Sequence, residues 1–330
     1  MGPTPALADR PDSRRDPHIA AELAASASRE NFPVALRLLP RTPRADLLAL
    51  YAFARTVDDL GDEARATTHE GSVAADRVLV LGALRDALVE AGSTESAPTA
   101  ARCEAHEGAG RRARDLLGEA AWASAVEPIL AVLRRRALDV APLVDLVDAN
   151  LRDQVQHRYD RFEDLLDYCT QSANPVGRVV LGIFELDTPF TRGYSDQICS
   201  ALQVVEHLQD LREDWQRGRV YLPLADLARF GVDEEALAAA SAVPSLRRLV
   251  AWEASRAAAL LEAGTPLVAV ARGAARVALA GFVAGGRATL EAIADAGYDT
   301  LATQVRPSPA AVARRAAGLV VAPRRAWRLA

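Results

Sequence analysis

Apolar residues along this chain recur every three and four positions, and alternation at every second position never persists beyond a few residues. That period leaves helices as the regular structure available. Between Ala45 and Arg55 it falls on Leu47, Leu48, Leu50, Tyr51 and Ala54. The same pattern predicts helices near 73–91, 111–136, 141–157, 161–187, 194–216, 243–263 and 267–296. The small, polar stretch "AGSTESAPTAARCEAHEGAG", 91–110, reads as a surface loop. Residues 1–18 mix Pro, Arg and Asp without period and are expected to be a disordered tail. The expected organisation is that tail, one all-α body over 19–305, and a basic C-terminal tail over 306–330, with no internal repeat.

Composition removes several function classes. The 330 residues are 50% hydrophobic and 25% charged, which suits a globular chain with a sizeable core. All 39 basic residues are arginine, a bias that fits a GC-rich genome rather than a mechanism. A net charge of −5 argues against a general nucleic-acid binder, so no nucleic-acid partner is expected. Cys103, Cys169 and Cys199 are widely spaced without a CxxC, which fits a reducing cytoplasm and neither a disulfide framework nor a zinc site. The N-terminus has no apolar signal core, and Ala6 stands where a myristoylation signal needs Ser or Thr. No run of about 18 apolar residues is present, so no spanning helix is expected. "ARRAAGLVVAPRRAWRLA" has two readings: a segment lying on an anionic membrane surface, or a packed final helix with a solvated basic face. Pro323 interrupts the first.

Two acidic clusters carry the chemistry. In "YAFARTVDDLGDEA", 51–64, Asp58, Asp59, Asp62 and Glu63 follow an apolar helix with no basic residue among them. Asp58 and Asp62 are one helical turn apart, roughly 5–6 Å at Cβ, and Asp59 lies about 100° to the side. Alone, such a pair reads as a solvated helix end. A second cluster, "ALQVVEHLQDLREDWQRGRVYLP", 201–223, repeats the spacing at Asp210 and Asp214, with Glu206 one turn earlier. Two helices facing across a cavity would set these carboxylates against each other, an arrangement that needs cations between them. Oxygen-only ligands favour Mg²⁺, which bridges carboxylates to substrate phosphates. Arg55, Arg217 and Arg219 flank the clusters, and their planar forks suit phosphate oxygens.

These two stretches resemble the paired DxxxD motifs of the squalene/phytoene synthase family, and "RYDRFEDLLDYCTQSANPVGRVV", 158–180, is similar to that family's central helix. The resemblance runs from about Glu30 to Pro307. "ENFPVALRLLP", "SANPVGR" and Gln209 are most similar to the bacterial hydroxysqualene synthases of hopanoid biosynthesis. Glu206 stands where the family usually carries Asn, a departure from its pattern.

The resemblance implies the isoprenoid synthase fold, a helical bundle around a deep apolar cavity. It implies Mg²⁺ and diphosphate at Asp58, Asp62, Asp210 and Asp214, with Asp59, Glu206 and Glu213 as further acidic candidates, and phosphate contacts from Arg55, Arg217 and Arg219. Gln203 matches a position lining the pocket. The implied substrate is a prenyl diphosphate, presqualene diphosphate, ionised and captured by water to give hydroxysqualene without NADPH. A carbocation needs π faces or phenol oxygens near it, for which Tyr51, Phe53 and Tyr168 are the candidates. Small Ala173, Gly177 and Gly182 either make room for the isoprenoid chain or serve close helix packing. His157 and His207 read as hydrogen-bonded structural residues and Cys169 as a small buried hydrophobe. Two other functions stay open: head-to-head condensation of prenyl diphosphates, and a non-catalytic helical lipid-binding or assembly protein. The expected location is cytoplasmic, with peripheral contact at the inner face of the membrane and with other squalene-pathway enzymes among the partners considered.

Overall fold

Prolines cut the helical pattern into rods. The computed structural model describes residues 38–62, 73–93 and 100–322, and among them there is no β-strand. In chain order the helices are α1 (Arg41–Asp62), α2 (Val73–Ser93), α3 (Ala100–Leu117), α4 (Glu127–Arg136), α5 (Ala141–Arg152), α6 (Phe162–Ser172), α7 (Asn174–Ile183), α8 (Pro189–Gln209), α9 (Leu211–Gln216), α10 (Leu224–Phe230), α11 (Pro244–Gly264), α12 (Pro266–Val270), α13 (Gly273–Asp295) and α14 (Pro309–Val321). A π-helical turn, Trp122–Val126, leads into α4. Proline occupies the first turn of α4, α5, α7, α8, α11, α12 and α14, where its missing N–H breaks no helical bond.

The same physics explains where the structure departs from the sequence pattern. The single helix expected over 161–187 breaks between α6 and α7, because Pro175 has no N–H for the preceding turn. The helix expected over 194–216 breaks at Asp210, which ends α8 and begins α9 with φ −103° and ψ 15°. The segment 91–110 is not a loop throughout: α2 runs to Ser93 and α3 begins at Ala100. Its Ala, Arg and Glu residues are strong helix formers that outweigh Gly108 and Gly110. The C-terminal segment is not wholly a tail, since α14 packs on α13. Val312 and Leu319 are buried there, and Arg276 donates to the carbonyls of Leu319 and Ala322 at 3.1 and 2.7 Å. The tail expected over 1–18 lies outside the described residues, as do 323–330.

Two apolar clusters organise the stack. One joins α1, α2, α4, α5, α7 and part of α13 through Leu47, Leu50, Phe53, Leu84, Ile129, Leu143 and Val283. The other joins α6, α8, α10 and α11 through Leu165, Val205, Leu208, Leu227, Leu249 and Val250. Buried Asp46 anchors α1 to α4 by ion pairs with Arg135 and Arg136. By length and composition α13 would pass as a membrane span, yet 61% of its most apolar window is buried, with α8 and α11 among its neighbours. The helix α1 connects to α8 by way of α5 and α7, which leaves the acidic ends of α1 and α8 facing across a gap.

Candidate active site

The first acidic pair is placed by a close helix crossing. Gly61 lets α1 approach α5 so tightly that a Cβ there would lie 2.3 Å from Asn150 Oδ1. Asn150 Nδ2 then reaches Asp58 Oδ1 at 3.2 Å, and Gln154 Nε2 donates to the Gly61 carbonyl at 3.2 Å. Asp58 is exposed on the surface of α1, although protein crowds around its carboxyl group. Loss of solvation raises its pKa from 3.8 to about 7, and the charges of Asp62 and Asp59 add to the rise. The hydrogen bond from Asn150 works against it.

The second cluster is shaped by a turn. After α9, Gly218 adopts φ 81°, a left-handed conformation natural to glycine, and Arg219 N bonds back to the Asp214 carbonyl at 2.9 Å. The Gly218 carbonyl accepts from Arg158 at 2.6 Å, and Val220 N bonds the His157 carbonyl at 2.9 Å. This fixed turn sends Arg219 across the gap to Asp62 at 2.6 Å, joined by Arg217 at 3.4 Å. The two motifs, 157 residues apart in sequence, thereby meet. Asp210 lies at the break between α8 and α9, where burial first, then the charges of Asp214 and Glu213, raise its pKa from 3.8 to about 6.

Beneath these groups lies an aromatic floor. Asp153, at the end of α5, accepts from Tyr168 Oη at 2.5 Å and from Tyr221 Oη at 3.2 Å. Tyr159, Tyr168 and Tyr221 pack with centroids 5.4–5.7 Å apart, and His207 stacks on Tyr221 at 3.7 Å. His207 also lies 3.3 Å from Gln203 Nε2 and 3.7 Å from Asp214.

Comparison with known proteins places this geometry. The squalene/phytoene synthase family model matches residues 25–311. The chain belongs to the squalene/phytoene synthase family. It is 31% identical over 240 residues to the hydroxysqualene synthase of Sinorhizobium fredii, covering 72% of this chain and 70% of that one. It is 27% identical to the presqualene diphosphate synthase of Zymomonas mobilis over 230 residues, 69% of this chain and 68% of that one. A crystal structure of the squalene synthase of Alicyclobacillus acidocaldarius superposes with TM-score 0.65 at 34% identity, covering 85% of this chain and 94% of that one. The fold is that of the helical isoprenoid synthases, and the family's enzymes build isoprenoids from prenyl diphosphates.

Within this family frame the expected site residues divide. Asp58, Asp62, Asp210, Asp214, Arg217, Arg219 and Tyr168 belong to the connected constellation just described, and Gln203 borders it through His207. Asp59 turns aside to pair with Arg55 at 2.9 Å. Glu206 is exposed on α8, and Gln209 instead donates to the Val305 carbonyl at 2.5 Å, tying α8 to the C-terminal segment. Phe53 is wholly inside the first apolar cluster, which corrects the expectation that its ring faces a substrate cation. Tyr51 and Ala173 are buried at 7% and 8% exposure. Gly177 leaves no space for a chain: a Cβ there would meet Ser195 Oγ at 2.4 Å and Cys199 Sγ at 2.6 Å, so helix packing between α7 and α8 accounts for it. Cys169 is buried as expected, its thiol pushed up to about 12 chiefly by burial.

The periodicity overlooked Asn150, Asp153, Gln154 and Tyr221. The first three stand at i, i+3 and i+4 along α5 and its end, a polar stripe on one face, and that stripe was the available signal. Among the described residues no three His, Cys, Asp or Glu groups form a ready-made metal cage. Carboxylates whose pKa values are raised by burial and by each other nonetheless suit a hard divalent cation, and Mg²⁺ commonly takes one or two carboxylates with substrate phosphates completing its shell. A concavity between Leu138, Asp145, Arg178 and Arg192 shares no residue with this site.

Proposed function

We propose that the chain is a hydroxysqualene synthase that converts presqualene diphosphate and water into hydroxysqualene and diphosphate, in a route to hopanoids. The observation that carries this reading is the Asp62–Arg219 junction, which brings both acidic motifs to one cleft in a chain 31% identical to a hydroxysqualene synthase. Asp58, Asp62, Asp210 and Asp214 would hold Mg²⁺, with Glu206 and Asp59 at the margin. When bound, the cation supplies Lewis-acid stabilisation of the departing diphosphate. Arg219 and Arg217 release Asp62 and take phosphate oxygens in its place, orienting the leaving group. Tyr168 and Tyr221 present phenol oxygens and ring faces in a water-poor surround, which stabilises positive charge on carbon. Water then captures the cation, so no reduced nicotinamide is consumed.

The similarity to a presqualene diphosphate synthase supports a second reading, head-to-head condensation of two farnesyl diphosphates. Incubation with presqualene diphosphate and Mg²⁺ in ¹⁸O-labelled water, with and without NADPH, separates the two. Labelled alcohol formed equally well without NADPH is the expected result. Squalene appearing only with NADPH, or turnover of farnesyl diphosphate alone, overturns the proposal, and no turnover of either leaves a non-catalytic protein.

A further inference from the structure

We infer that Asp153 is a positioning residue that receives, through Tyr168, the proton released when water captures the substrate cation; this rests on the water-capture reading above. Asp153 is 6% exposed and makes its hydrogen bonds to phenols rather than to a cation. A carboxylate buried on such terms is costly. Burial raises its proton affinity, while Tyr168 and the nearby charge of Arg219 hold it down. Tyr221 occupies the other oxygen and is itself stacked against His207, so the carboxylate is oriented from both sides.

The geometry dictates what Tyr168 can do. Its hydrogen is committed to Asp153 Oδ2 at 2.5 Å, so toward any third group the phenol oxygen is an acceptor. A water donating to that oxygen keeps its lone pairs turned away from the phenol, available to carbon. When the carbon–oxygen bond forms, the product oxonium must lose one proton. Tyr168 Oη takes that proton as its own hydrogen passes to Asp153 Oδ2. The result is a neutral alcohol, an intact phenol and a neutral carboxyl group, with no further reactant needed. Arg219, paired with Asp62, also exerts its charge on Asp153, so the diphosphate side of the cleft and the acceptor share one guanidinium.

A purely structural Asp153 would tie the end of α5 to the aromatic floor and nothing more. The test compares wild type, Asp153→Asn, Tyr168→Phe and the double variant on presqualene diphosphate with Mg²⁺. It reads kcat, KM and the ratio of alcohol to dehydrated triterpene, with melting curves for each protein. Loss of a proton acceptor predicts about 10²–10⁴-fold lower kcat for the alcohol in Asp153→Asn. KM should stay within about threefold, with a shift toward dehydrated product and a double variant no worse than the poorer single. An unchanged product ratio in Asp153→Asn, or losses that multiply in the double variant, overturns the inference. Should Asp153→Asn fail to fold, Tyr168→Phe decides it, because Asp153 keeps Tyr221; an undiminished alcohol fraction there overturns it equally. A wild type that makes no alcohol removes the functional reading and the relay together, whereas a wild type and variants that all make it remove the relay alone.

Discussion

Replacing Asp210 with Asn should stabilise the metal-free protein above about pH 6 and leave it unchanged near pH 4. The Asp210 carboxyl titrates at about 6 in the fold against an ordinary 3.8. That difference of about 2 units corresponds to about 3 kcal/mol at 1.36 kcal/mol per unit. Asp210 is partly open to water, and screening reduces the effect to about 1.5 kcal/mol. Because the folded pKa is raised, the native state holds the proton more tightly than the unfolded chain. Its contribution to stability is present in full below 3.8 and is lost as pH rises through about 6. Asn at this position removes the penalty, and the melting temperature above pH 6 should rise by about 3–6 °C. Calorimetry from pH 4 to 8 in a chelating buffer measures the gap, and saturating Mg²⁺ should narrow it by compensating the wild-type carboxylate. Wild-type and Asp210→Asn curves that run parallel across the whole range would refute the argument, since a constant offset cannot come from a titrating charge.

Two further substitutions test the site and the scaffold separately. Arg219→Met keeps length but loses the 2.6 Å contact to Asp62, and steady-state kinetics should show kcat/KM lower by about 10²-fold; a value near wild type would remove Arg219 from the site. Gly177→Ala drives a Cβ against Ser195 and Cys199 and should cost about 1–3 kcal/mol in urea unfolding, and an unchanged midpoint would refute the packing role.

The acidic motifs were legible because their spacing is the helical one: Asp58 and Asp62, like Asp210 and Asp214, are one turn apart in both sequence and space. Their meeting was less legible, since the 2.6 Å contact between Asp62 and Arg219 depends on a left-handed turn at Gly218. Asp153 was hidden for a different reason. A single acid at a helix end looks like an ordinary polar terminus, and only the folding of 219–221 back onto 157–159 gives it Tyr221 as a second donor. Phe53 shows the reverse error, where adjacency to a motif suggested a role that helix rotation denies, because residues five apart on a helix do not share a face. The α3 segment, small and polar enough to read as a loop, is helical because Ala, Arg and Glu dominate its propensity.

The clasp between Asp62 and the pair Arg217 and Arg219 neutralises one aspartate of the acidic cleft with two guanidinium groups. On the proposed reading, an anion that took both guanidinium groups would leave Asp62 without them, and a metal ion that took Asp62 would free the two arginines. Only the two together exchange every broken ion pair for a new one. Each ligand therefore improves the affinity of the other by the same factor, and the loss of cooperativity in Arg219→Met would register it. On the proposed reading, such a cleft would favour a diphosphate that arrives with its own counter-ion over free phosphate or free cation.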